Sequence, residues 1–105
     1  MKKRLYKTAD LAPLIQSAQS TFVEYYTVET EKTDESFDEK KPYGIEVVKN
    51  QIIDGSTYRE IKRVEAIGGN TEEIERLLDI LHRNIVTPIT VKEILSDLSA
   101  TKTVV

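Results

Sequence analysis

One histidine, His82, and no cysteine set the outer limit on chemistry in this sequence. Without thiols there is no disulfide, no thiolate metal site, no iron–sulfur ligand and no cysteine nucleophile. A metal centre would need oxygen ligands with at most one imidazole, and no carboxylate spacing matches a calcium-binding loop. "GGN", Gly68 to Asn70, lacks the lysine and the further glycines of a phosphate or dinucleotide loop. No Gly-x-Ser-x-Gly elbow is present. The paired carboxylates Glu72/Glu73 and Asp34/Glu35 fall in a polar turn and a polar loop, where nothing separates one pKa from the other. His82 lies off the apolar stripe of its helix and reads as a solvated helix-end residue. The expectation is a protein with no catalytic residue, no metal and no cofactor.

Charge is the other source of chemistry, and it is unevenly placed. Lys2, Lys3, Arg4 and Lys7 make the start basic, whereas residues 29–41, "ETEKTDESFDEKK", hold six acidic and three basic residues. The net charge is −3 and the pI near 5.2, which argues against broad binding to nucleic acid or anionic membranes. The basic start has two readings: an amphipathic arm for a membrane or a partner, or else a short helix docked on the domain or a frayed terminus. Leu11, Leu14, Ile15 and Ala18 recur at helical spacing, so residues 1–19 are expected to form an N-terminal extension with a short helix. The acidic run also has two readings: a solvated loop, or a docking segment that stands in for phosphates.

The elements that would carry these groups follow from periodicity. Residues 21–31, "TFVEYYTVETE", are β-branched and aromatic, hence a strand. Phe22, Tyr26 and Val28 fall on one face and Val23 and Tyr25 on the other. Residues 43–53, "YGIEVVKNQII", alternate with period two. Gly44 marks a bulge or the close approach of another backbone. Asp54-Gly55 suits a two-residue type I′ turn, because both positions need positive φ. That turn sets Ile53 opposite Ser56, Lys49 opposite Glu60, Glu46 opposite Arg63 and Ile45 opposite Val64. Two opposite-charge pairs and an apolar pair favour this register. Tyr58, Ile61, Val64 and Ile67 recur every three residues. A bulge between Ile61 and Val64, an early strand end, or a helix over 57–67 would each account for that.

Asn70 and Glu73 have capping-box spacing, and Ile74, Leu77, Leu78 and Leu81 form one stripe, so a helix spans 71–83. In "PITVKEIL" Thr90 is the expected N-cap with Glu93 three residues on, and Ile89 and Ile94 are placed for a hydrophobic staple. A second helix is expected over 91–99, with 100–105 as a tail. The stretch "LLDILHRNIVTPITVKEILSDL" resembles the first two helices of a helix-turn-helix. A reading helix would have to follow, and "SATKTVV" holds one lysine and no arginine. Two helices packed on a sheet is the reading adopted, with no direct contact to nucleic acid.

"YYTVE", "YGIEVVKN" and "IERLLDILHRNIVTPITVKEILSDL" together resemble a family of small bacterial domains of unknown function. The likeness spans residues 21–99 and is most specific at Val86-Thr87-Pro88-Ile89, followed by Val91, Ile94 and Asp97. Where the family pattern implies a histidine after the Pro-Ile pair, this chain has Thr90. The resemblance implies a fold and no activity, cofactor or catalytic residue.

The expected architecture is one α+β domain over 20–99, a three-stranded antiparallel β-meander followed by two α-helices packed on one face. That leaves a second sheet face with Val23, Tyr25, Val48 and Tyr58 as the candidate interaction surface. No segment approaches the ~18 apolar residues of a membrane span, and the opening apolar stretch is too broken for a secretory signal. A cytoplasmic, non-enzymatic interaction module is expected, partnered by another protein or by itself as a homodimer. The alternative is a small acidic, phage-type inhibitor or regulator of a nucleic-acid-handling protein.

Overall fold

The computed structural model describes residues 2–11, 20–33, 35 and 37–103, with 99–103 by backbone alone. The chain runs β1 (Lys2–Asp10), β2 (Ser20–Glu29), β3 (Tyr43–Ile53), β4 (Ser56–Gly68), α1 (Thr71–Arg83) and α2 (Val91–Thr103). The sheet is antiparallel in the order β1-β2-β3-β4. The class is the expected α+β, but the sheet has four strands and not three. The basic start, expected only as an extension, is a strand over Lys2–Asp10; the short helix expected from Leu11, Leu14, Ile15 and Ala18 falls, past Leu11, outside the described residues. A strand rich in lysine suits this place, because charged side chains keep an exposed edge from pairing with another chain.

The hairpin is as expected. Asp54 and Gly55 have φ of 48° and 80°, the type I′ pattern. Ile53 faces Ser56, Lys49 faces Glu60, Glu46 faces Arg63 and Ile45 faces Val64. The irregularity in β4 falls later than expected. Between Tyr43 and Ile45 on β3 the partner jumps from Gly68 to Val64, and Ala66 takes φ of 56°. That bulge lets both Val64 and Ile67 pack against the core. Ile61, ahead of it, stays on the opposite face and is 56% exposed. Gly44 sits opposite the bulge. A Cβ there would collide with the Val64 carbonyl oxygen and lie 2.9 Å from Glu65 Cα. Both expectations for this glycine are therefore met.

α1 starts as its sequence requires. The Asn70 side chain accepts from the Glu73 amide at 2.9 Å, and the Glu73 carboxylate accepts from the Gly69 amide at 3.1 Å. Its C-terminus closes with the Ile85 amide on the His82 carbonyl and the Val86 amide on the Leu81 carbonyl. Those two bonds make a Schellman motif, with Ile85 at φ of 50° in the place glycine usually takes. Buried Val86 and Leu81 join the core beside it.

α2 departs from expectation at both ends. Ile89 is 77% exposed, so the staple to Ile94 is not made. The Thr90 hydroxyl donates to the Thr87 carbonyl at 3.2 Å. The helix runs to Thr103, past the expected end at 99, since 99–103 contain neither glycine nor proline to stop it.

One core lies between the helices and one sheet face. Val23, Tyr25, Ile45 and Val47 meet Ile74, Leu78, Leu81, Val86 and Val91, with Leu11 at the margin. The expected facing of β2 is inverted: Val23 and Tyr25 point to the helices. Both faces of β2 are apolar or aromatic, so alternation alone does not choose between them. The Tyr25 hydroxyl donates to the Val86 carbonyl at 2.9 Å and ties that face to the interhelical turn.

Candidate functional site

The opposite face of the sheet carries neither helix. By alternation it presents Lys3 and Leu5 of β1, Glu24 and Tyr26 of β2, Glu46, Val48 and Asn50 of β3, and Arg59, Ile61 and Arg63 of β4. β3 is central there, and Glu46, Val48 and Asn50 are only 1%, 4% and 3% exposed. A buried carboxylate needs paired charge and hydrogen bonds, and Glu46 has both. Lys3 Nζ lies 2.8 Å from its Oε2. Arg63 donates to its Oε1 through Nε at 2.9 Å and Nη2 at 2.7 Å. Lys3 also lies 4.6 Å from the centre of the Tyr26 ring, within cation–π range. Burial alone would raise the Glu46 pKa, but the hydrogen bonds and charges of Lys3 and Arg63 outweigh it and hold the carboxyl below the ordinary value of 4.5.

A second row runs beside the first. Tyr26 donates to Glu24 Oε2 at 2.9 Å, Asn50 donates to Glu24 Oε1 at 2.7 Å, and Arg59 Nε donates to Asn50 Oδ1 at 3.0 Å. The links from Asn50 to Glu24 and from Arg59 to Asn50 join side chains on neighbouring strands, as the register places them. The carboxylates are committed to these rows, whereas parts of the cations stay in water: the Lys3 and Arg63 side chains are 42% and 40% exposed. Ile61, exposed on β4 between Arg59 and Arg63, and Leu5, 48% exposed on β1, supply apolar area at two margins. The surface is thus a paired-charge floor with cationic heads and aliphatic side chains facing outward.

His82 lies elsewhere, in a shallow cleft of about 450 Å³ between β1 and α1, lined by Lys7, Ala9, Asp79, His82, Arg83 and Ile85. It is a helix-end residue, as expected, but half-buried and tied to β1. Its Nε2 lies 3.0 Å from the Thr8 carbonyl. A carbonyl only accepts, so Nε2 carries the proton there. The ring stands edge-on to Tyr25, 5.8 Å between centres. Asp79 accepts from Lys7 at 2.7 Å and from Tyr6 at 3.1 Å. The Lys7 hydrogen bond is the main cause that lowers the Asp79 pKa, and it raises that of Lys7. These groups hold a strand to a helix.

The four sequence-selected surface residues are not brought together. Val23 and Tyr25 are fully buried under the helices, Val48 is buried on the opposite face, and Tyr58 is 57% exposed. Tyr58 faces Gln51, on the helix-facing side beyond helix cover. What sequence reasoning missed was the Lys3, Glu24, Tyr26, Asn50 and Arg59 network. The Glu46–Arg63 pair follows from the turn, and Asn50 opposite Arg59 follows from that same register. Of the paired acids, Glu73 caps α1, Glu72 and Glu35 are exposed, and Asp34 lies outside the described residues. In the acidic loop, Lys2 and Lys32 line the same cleft as Glu29, Glu31 and Glu39, so its charge is mixed.

A model of the family of unknown function DUF6514 matches residues 14–101. The chain belongs to that family. The matched span holds the meander β2–β4 and most of the helical layer, and β1 lies outside it. No curated protein and no solved structure matches the chain. Among the described residues, no group of three or more His, Asp or Glu side chains is placed to hold a metal ion. Among them also, no helix is long and apolar enough to cross a membrane.

Proposed function

We propose that the protein is a non-enzymatic interaction module that binds another protein on the outer face of its sheet. The observation that carries this reading is the asymmetry of the sheet. Both helices cover one face, and the other displays Ile61 and Leu5 among the outward heads of Lys3, Arg59 and Arg63. Apolar area ringed by arginine is the composition that protein interfaces favour. The partner that fits has aliphatic or aromatic groups for Leu5 and Ile61 and carboxylates for the cations. His82 and Asp79, the groups best suited to proton transfer, are engaged in holding β1, which fits a role without catalysis.

The test is affinity capture from the source cell by the wild-type chain and by a Leu5→Lys/Ile61→Lys variant, with circular dichroism to show that both are folded. Both substitutions fall on exposed side chains, so the fold should persist. Loss of the captured protein with the variant, and its retention by a Glu72→Lys control on α1, is the expected result. Equal capture by all three chains would overturn the reading.

A further inference from the structure

The edge of β2 and the polar ridge of α1 form a slot for an extended basic segment, and β1 fills it. The ridge is Glu75, Asp79 and His82, spaced i, i+4 and i+7 along one side of the helix. Its partners run along β1 in order: Arg4 to Glu75 at 3.9 Å, Tyr6 and Lys7 to Asp79, and the Thr8 carbonyl to His82. Backbone pairing to β2 runs from Lys2↔Glu29 to Asp10↔Phe22 and breaks at Tyr6. Leu11 follows, 5% exposed, with its amide on the Thr21 carbonyl at 2.8 Å.

This strand is held differently from the other three. Seven of its nine residues are exposed, and only Tyr6, Ala9 and then Leu11 touch the core. The ion pairs to α1 are solvent-facing, and such pairs contribute little and weaken with salt. Strands of this kind open while the rest of a fold stays closed. We propose that residues 2–11 are an exchangeable strand, and that the slot accepts the same segment from a second copy of this chain. The second copy is the occupant because it alone supplies Arg4, Tyr6, Lys7 and Leu11 in the spacing the slot already fits. Exchange recovers every contact of the closed monomer, so concentration governs the balance. The inference does not rest on the outer-face reading, although Lys3 and Leu5 of that face lie on β1 and travel with it; the cross-link below reads exchange alone, with the outer-face side chains unchanged.

The cysteine-free sequence permits a direct test. Lys2 and Glu29 are opposite each other and exposed. Full-length Lys2→Cys and Glu29→Cys chains are mixed in a glutathione redox buffer, and interchain disulfides are mapped by peptide mass spectrometry. Exchange predicts an interchain cross-link between positions 2 and 29 about tenfold or more above that of an out-of-register Lys2→Cys/Ser20→Cys mixture, since paired strands hold thiols at millimolar effective concentration. The enrichment should fall when both chains also carry Asp79→Lys. A chain bearing both Lys2→Cys and Glu29→Cys closes its own bridge and shows that the geometry allows one. If that bridge forms while the mixture stays at the background of the out-of-register pair, strand exchange does not occur.

Discussion

Glu46 shows most clearly how single residues set the character of this protein. It is an acid in the middle of a central strand, buried on a face that neither helix covers. Lys3 and Arg63 reach it from two other strands, one on each carboxylate oxygen. Because the fold holds Glu46 below its ordinary value of 4.5, its stabilisation is complete above that pH and is lost as pH falls through the depressed value. Arg63→Ala removes one partner and leaves Lys3. With the arginine partly in water, the cost near neutral pH should be about 1 kcal/mol. Urea unfolding near pH 7 should show that gap, and at a pH below the depressed Glu46 value it should shrink, because a protonated Glu46 no longer distinguishes the two chains. A gap that is the same at both pH values would separate Arg63 from Glu46. The Glu46–Arg63 pair was legible in the sequence, because Asp54-Gly55 fixes the count from turn to pair. Lys3 was not, because nothing local ties the chain's start to β3.

At the scale of elements, the sheet bends where β4 bulges, and Gly44 is the residue that permits it. The Val64 carbonyl occupies the space where any Cβ at position 44 would lie. Backbone cannot move aside as a side chain end can, so Gly44→Ala should cost about 3 kcal/mol or more. A thermal melt would show it as a large loss of Tm or as failure to fold, and an unchanged Tm would mean the bulge is not there. The hairpin, α1 and its cap were legible because their signals are local: a turn that needs positive φ, a capping box, one apolar stripe. β1 was hidden because its pattern is charge, and it is a strand only through the edge it joins. The facing of β2 was hidden for the opposite reason, since Val23/Tyr25 and Phe22/Tyr26/Val28 suit an interior equally well. At α2, the Thr90–Glu93 spacing marked the start correctly, but Ile89 turned outward and the expected staple was lost.

The whole molecule is two layers with unlike surfaces. The inner side of the sheet closes on α1 and α2 through aliphatic contacts and the Tyr25 hydroxyl, whose pKa burial pushes up to about 12. The outer side is closed by ion pairs lying flat on the strands, and it is finished with cationic heads and two exposed aliphatic residues. The proposed function depends on that second side being open to a partner in the dilute protein. Solvent relaxation enhancement by a soluble gadolinium chelate, read on the methyl groups of the full-length chain, measures this most directly. Strong enhancement is expected at Leu5 and Ile61 and almost none at Val23, Ile45, Val47, Leu78 and Leu81. Methyls of Leu5 and Ile61 shielded as fully as those of Val23 would contradict it.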